Sequence, residues 1–183
     1  MAEIKKVGVL GCGLMGSGIA QVAAAAGYTT VVRDVSDAVM AKGKAGTGKS
    51  LDKFEEKGKL SAADRDATLG RMSYVTDVAA LKDCDIVIEA VTEDLELKND
   101  LWKQLDALCP AHTIFASNTS SLTIAAMASA TKRADRFVGL HFFNPAPMMS
   151  LVEVIAPLTA SAETVRAARA FATDCGKDVV EVK

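Results

Sequence analysis

Apolar positions along the chain follow two rhythms. Short runs rich in β-branched and aliphatic residues occupy 7–10, 28–32, 72–75, 85–90, 114–116, 136–141, 151–155 and 179–182. Their lengths suit strands. Between them, residues 36–59, 61–69, 78–81, 95–108, 122–130 and 162–175 carry apolar residues at three- and four-residue spacing and read as helices. A further helical stretch of small residues runs from Gly16 to Gly27. The punctuation agrees: Ser61 with Asp64 forms a capping box, Pro110 stops one helix, and Gly176 closes another. Strands alternating with helices predict an α/β fold: a doubly wound, mainly parallel sheet with helices on both faces. In such a sheet the C-terminal strand ends share one edge, where ligands bind. Residues just past the strand ends are therefore the first candidates for function.

Composition narrows the class. At 183 residues the chain is long enough for one domain with a substantial core. Half the residues are apolar and 24% are charged, as in ordinary soluble proteins. A net charge of −2 without a basic stripe argues against nucleic acid as a partner. No charge appears from Val7 to Val32, a length that would suit a signal peptide or a membrane span. Six glycines together with Ser17 and Gln21 make that stretch a poor hydrophobic core, so no membrane partner is expected. The four cysteines, Cys12, Cys84, Cys109 and Cys175, lack paired spacing, and reduced thiols in a cytoplasm are the expectation. Cys109 and His112 form a C-x-x-H pair, but His141 is the only other histidine and no second cysteine pair exists, so no metal site is expected.

The uncharged stretch reads better as a nucleotide site. Val7 to Leu10 breaks into Gly11-Cys12-Gly13-Leu14-Met15-Gly16, a helix follows, and Asp34 ends the next apolar run 18 positions beyond Gly16. This is G-x-G-x-x-G in strand–turn–helix context, with an acid at the expected distance. It predicts a Rossmann-like domain. Gly11 allows the tight turn, Gly13 lets the backbone approach a pyrophosphate, and Gly16 lets the helix pack against the sheet. The helix N-terminus, from Leu14 and Met15 onward, presents free N–H groups to the phosphates. Asp34 can accept hydrogen bonds from an adenosine ribose and repel a 2′-phosphate, which favours NAD over NADP. Arg33 beside it offers a guanidinium that could turn toward such a phosphate.

A second nucleotide signature is present. Residues 43–50 satisfy the P-loop pattern G-x-x-x-x-G-K-[ST], from Gly43 through Gly48 and Lys49 to Ser50. That pattern needs a loop running straight from a buried strand into a helix. Here the preceding residues read as helix and the nearest apolar strand ends at Val32, so a P-loop NTPase is the weaker reading. Ser50, Lys53 and Lys57 instead fall on one helical stripe of hydroxyl and ammonium groups suited to phosphates.

The glycine turn, Asp34, Glu93, Ser120 and His141 each follow the end of a different strand, so five useful groups converge on one crevice. An NAD enzyme that oxidises an alcohol needs a proton acceptor, and histidine is suited to that task. His141 is the placed candidate. Glu153, on the otherwise apolar face of residues 151–155, wants a partner and is the natural group to orient the imidazole. Ser120 can donate a hydrogen bond to a substrate oxygen; its competing role is a helix cap.

These residues resemble a known family. Ala116-Ser117-Asn118-Thr119-Ser120-Ser121-Leu122, the run from Gly139 to Pro147 containing His141-Phe142-Phe143-Asn144-Pro145, and Leu151-Val152-Glu153-Val154-Ile155 resemble the 3-hydroxyacyl-CoA dehydrogenases, in particular the bacterial 3-hydroxybutyryl-CoA enzymes. The similarity runs along all 183 residues. The resemblance implies that His141 is the catalytic base paired with Glu153, and that Ser120 bonds the substrate's 3-oxygen. It assigns Gly11, Gly13, Gly16, Asp34, Glu93, Lys98 and Asn144 to NAD, with Ser120 beside them, and Ser50 and Lys57 to the CoA portion of the substrate. The reaction implied is reversible oxidation of (S)-3-hydroxybutyryl-CoA by NAD⁺ to acetoacetyl-CoA, as in fatty-acid or butyrate metabolism. Members of the family continue past Gly176 and Lys177 into a helical domain that carries a further catalytic asparagine and forms a homodimer. By that resemblance residues 1–183 are the NAD-binding domain alone, expected to bind NAD(H), to turn over acetoacetyl-CoA poorly and to expose apolar surface. Ser150 stands where many relatives carry lysine.

Overall fold

A computed structural model describes residues 3–182. Eight strands form one sheet: β1 Lys6–Leu10, β2 Thr29–Arg33, β3 Met72–Val75, β4 Ile86–Glu89, β5 Ile114–Ser117, β6 Phe137–Phe142, β7 Leu151–Ile155 and β8 Asp178–Val182. Their order across the sheet is β3-β2-β1-β4-β5-β6-β7-β8. The first six run parallel, β6 meets β7 antiparallel, and β8 pairs parallel with β7. The helices are α1 Leu14–Ala25, α2 Asp37–Glu56, α3 Ala62–Gly70, α4 Leu95–Leu108, α5 Ile124–Ala128 and α6 Ala162–Asp174. The strand order reverses between β1 and β4, which is where a doubly wound sheet opens its ligand crevice.

Strand alternation divides the core into two layers. Val7 and Val9, Ile86 and Ile88, Val138 and Leu140, and Val152 and Val154 pack against α1 and α6. Leu10, Val87, Phe115 and Phe137 pack on the other face against Trp102 and Leu105 of α4 and Met127 of α5. Trp102 is fully buried, its ring 5.0 Å from Phe115 and 4.8 Å from Phe137. By the same alternation Glu89, Ser117, His141 and Glu153 fall on the α4 face. The chemistry is thus segregated to one side of the sheet.

Several local expectations meet their physical outcome here. Residues 43–50 lie wholly inside α2, so the P-loop pattern has no loop. Gly43 is required by packing: a Cβ there would collide with the Cys12 thiol and carbonyl and with the Ser17 hydroxyl. Its place in the glycine-rich pattern records a helix pressed against the dinucleotide turn. The helix expected over 122–130 contracts to Ile124–Ala128, because the Thr119 hydroxyl accepts the N–H groups of Ser121 and Leu122 and holds them in a turn. Among the described residues no helix is long and apolar enough to cross a membrane.

Candidate active site

The turn after β1 is built by backbone necessity. Gly11 takes φ +94°, and a Cβ there would stand 2.6 Å from the Ala90 carbonyl just past β4. Gly16 cannot carry a Cβ either, since it would collide with the Gly11 carbonyl, with Val9 next to it. The third glycine therefore lets α1 start directly on the turn as well as against the sheet. Gly13, the α1 N-cap, offers no side chain to cap the helix, and a Cβ there would meet nothing within 4 Å. The first N–H groups of α1 are thus left without a side-chain cap. The Cys12 thiol in this turn is only 2% exposed, and burial pushes its pKa up, so it supplies no thiolate. Leu14 projects outward, 73% exposed.

Asp34, just past β2, closes one side. Its Oδ2 accepts the Cys12 N–H at 2.7 Å and its Oδ1 accepts the Val35 N–H at 2.7 Å. Each oxygen keeps acceptor capacity for a hydroxyl. Arg33 turns away, its Nε donating to the Thr76 carbonyl at 2.9 Å.

On the other side of the turn a cleft of about 270 Å³ is lined by Met15, Glu93, Lys98, Asn118, Ser120, His141, Phe143 and Asn144, among others. His141 and Glu153 are register partners in the β6–β7 pair, and Nδ1 of the histidine lies 2.8 Å from Glu153 Oε2. Both are part-buried, and the Phe143 ring packs 4.6 Å from the imidazole. Ser120 enters from the β5 end, its N–H donating to Glu93 Oε1 at 3.2 Å. The helix cap open to Ser120 is not made, since α5 begins after Thr123 with no side-chain cap, and Ser120 stands at the cleft. Glu93 also accepts from the Thr119 hydroxyl at 2.7 Å and from Lys98 Nζ at 2.6 Å. Partial burial works to raise the Glu93 pKa, but the Lys98 ammonium, the Thr119 hydroxyl and the Ser120 N–H outweigh it and hold the carboxyl below its usual range. Asn144 opens a turn whose carbonyls at Ala146 and Met149 accept from Lys177 Nζ at 2.7 and 2.8 Å.

The fold therefore gathers Met15, Glu93, Lys98, Ser120, His141 and Asn144 around one cleft, with Glu153 behind the histidine and Asp34 across the glycine turn. Ser50 and Lys57 do not line it. Ser50 stands farther along α2 and Lys57 caps its C-terminal end, about 10 and 21 Å from Gly43 at 1.5 Å per residue. Two participants escaped the sequence reading. Asn118 ties β5 to β6, its Oδ1 accepting the Phe142 N–H at 2.8 Å beside His141. Glu89 is fully buried and bonds Ser117, Val91 and Lys98. The signal for Glu89 was a carboxylate at the end of an otherwise apolar strand, which must find a cation.

Comparison with known proteins decides the lineage. The profile of the 3-hydroxyacyl-CoA dehydrogenase NAD-binding domain matches residues 6–183. The chain belongs to the 3-hydroxyacyl-CoA dehydrogenase family. It is 48% identical to the mitochondrial hydroxyacyl-coenzyme A dehydrogenase of Rattus norvegicus, over 98% of this chain and 59% of that one. It is 47% identical to a probable 3-hydroxybutyryl-CoA dehydrogenase of Deinococcus radiodurans, over 94% of this chain and 62% of that one. The crystal structure of (S)-3-hydroxybutyryl-CoA dehydrogenase from Ralstonia eutropha superposes with a TM-score of 0.96 at 46% identity, covering 99% of this chain and 64% of that one. The chain thus spans about three fifths of the length of these relatives. As the NAD-binding domain of its family it has NAD as its cofactor, and the residues fit: space over Gly13, uncapped N–H groups on α1, and a carboxylate at Asp34 with acceptor capacity to spare.

Proposed function

We propose that this domain holds NAD and the catalytic base of an enzyme that interconverts (S)-3-hydroxybutyryl-CoA and acetoacetyl-CoA. The observation that carries the reading is the His141–Glu153 contact at 2.8 Å beside Ser120 and the glycine turn. Asp34 takes the adenosine ribose, α1 takes the pyrophosphate, and the cleft between Met15 and Asn144 takes the nicotinamide half. Bound NAD⁺ supplies the acceptor for the hydride leaving C3 of the substrate. A carboxylate only accepts, so His141 Nδ1–H donates to Glu153 and Nε2 is the free acceptor for the 3-hydroxyl proton. Glu153 then stabilises the imidazolium so formed. Ser120 donates to the 3-oxygen, and Lys98 contributes chiefly by holding Glu93. Ser50 on α2 and Lys57 just past its end meet the CoA portion. In the reverse direction His141 returns the proton to the alkoxide oxygen. The four cysteines are unpaired, which accords with a reducing compartment such as the cytoplasm. The full-length enzyme is a homodimer in this reading, through a C-terminal helical domain beyond these residues, and this domain alone turns over slowly.

The test is an NADH fluorescence titration with NADPH as control, followed by acetoacetyl-CoA in the same cuvette. Saturable NADH binding, weaker NADPH binding and slow ketone-dependent oxidation are the expected results. NADH binding with no oxidation at any acetoacetyl-CoA concentration would reduce the domain to a dinucleotide-binding module. No binding of either nucleotide would overturn the reading altogether.

A further inference from the structure

Glu89 is the buried ionisable group that this chemistry leaves unused. It ends β4 at 0% exposure and does not line the cleft. A carboxylate in that position must be compensated, and it is: Oε2 accepts the Ser117 hydroxyl at 2.6 Å, while Oε1 accepts the Val91 N–H at 2.8 Å and Lys98 Nζ at 3.0 Å. Lys98 is itself only 1% exposed and bridges from Glu89 to Glu93 Oε2. Glu93 then holds the Thr119 hydroxyl and the Ser120 N–H through Oε1. An unbroken chain of charge-assisted hydrogen bonds therefore runs from the interior to the residue placed for the substrate oxygen.

We propose that Glu89 is a positioning residue that fixes Glu93 and Ser120 through Lys98, so that the nicotinamide side of the cleft is formed before the cofactor arrives. This rests on the reading of that cleft as the nicotinamide end. Strand β4 does not need the charge for its own sake. Its ladder is made by backbone bonds to β1 and β5, and Ile86, Val87 and Ile88 supply its burial. An apolar residue would complete such a strand more cheaply than a carboxylate. Without Glu89, the Lys98 ammonium would have Glu93 as its one carboxylate partner. It would draw that side chain inward or follow it outward, and either movement frees Thr119 and Ser120. The adenosine half, at Asp34 and α1, shares none of these side chains.

Glu89→Gln tests this, because the adenosine half provides an internal control. The variant is expected to bind NADH about tenfold more weakly, the size of one lost hydrogen bond to a charged group, with unchanged affinity for ADP. Equal losses for NADH and ADP would assign Glu89 a purely structural role and overturn the proposal, as would unchanged NADH affinity. Should Glu89→Gln fail to fold, Glu89→Asp keeps the charge but draws the carboxylate back from Lys98 Nζ by one methylene. A smaller loss confined to NADH then supports the proposal, and unchanged NADH affinity overturns it. A wild-type domain that binds NADH no more tightly than ADP overturns the reading of the cleft, and this proposal with it.

Discussion

His141 and Glu153 face each other directly across the antiparallel β6–β7 pair, and the 2.8 Å contact between them follows from that register. Opposed residues in such a pair share a face with their Cβ atoms about 5 Å apart. The orientation of the imidazole is thus set by sheet hydrogen bonds, with no loop involved. The rest of the first six strands run parallel and could not bring a mid-strand carboxylate so simply onto a strand-end histidine.

This arrangement separates binding from chemistry. His141→Gln is expected to remove acetoacetyl-CoA-dependent NADH oxidation while leaving NADH fluorescence binding as it is. Glu153→Gln keeps the side-chain size but withdraws the charge that stabilises the imidazolium. Turnover should fall on the order of 10²–10⁴-fold, as for other general-base networks. Steady-state oxidation measured beside a binding titration checks both, and a Glu153→Gln variant of full activity would remove the carboxylate from the proposed mechanism.

Cofactor choice turns on Asp34. Its oxygens are anchored by Cys12 and Val35, so the charge cannot swing away from an incoming 2′-phosphate. Asp34→Ala removes both the ribose acceptor and the repulsion, and Arg33 needs only to leave the Thr76 carbonyl to meet a phosphate. NADH affinity should drop about tenfold for the lost charge-assisted bonds, and NADPH affinity should rise. Competitive titration of the two nucleotides measures the ratio. If the variant kept its preference for NADH, discrimination would reside elsewhere.

Most of the fold was readable because its signals are local. The β-branched runs, the Ser61 and Gly176 punctuation and the G-x-G-x-x-G turn each follow from a few neighbouring residues. The antiparallel reversal at β7 was not readable, since residues 151–155 carry the same apolar alternation whichever way the strand runs. His141 and Glu153 could be paired in principle, but only the register fixes the distance. Gly43 was legible as a glycine and misleading as a motif, because its reason is a contact with Cys12, 31 positions earlier. Glu89 was missed because it sits inside a strand whose other residues ask for nothing but burial.

Acid should reveal Glu93. Its folded pKa lies below the ordinary carboxylate value of 4.5 despite partial burial, so the folded state binds this proton less readily than the unfolded chain. A depressed pKa contributes stability that is present above the unfolded value and is lost as pH falls through the folded one. The melting-temperature difference between the wild type and Glu93→Gln should therefore be constant near neutrality, shrink below pH 4.5 and vanish at lower pH. The side chain is 43% exposed, so salt should narrow the difference further. A difference independent of pH from neutrality to pH 3 would mean that the Lys98 and Thr119 contacts do not favour the charged form.

Two glycines of α2 offer opposite outcomes from the same substitution. At Gly46 a Cβ would meet nothing within 4 Å, and alanine is the better helix former by about 1 kcal/mol. Gly46→Ala should raise the melting temperature and leave NADH binding alone. At Gly43 the added methyl would strike the Cys12 thiol and carbonyl. Overpacking of that kind costs about 1–3 kcal/mol, which exceeds the gain in helix propensity. Relief can come only by moving α2 off the dinucleotide turn, so Gly43→Ala should lower both stability and NADH affinity. Lys49→Ala, which would disable a P-loop, should change neither, because its position is an exposed turn of helix. Thermal melts and NADH titrations on the three variants read the pattern. Equal behaviour of Gly43→Ala and Gly46→Ala would show that α2 does not press on the turn, and the glycine at 43 would then need another explanation.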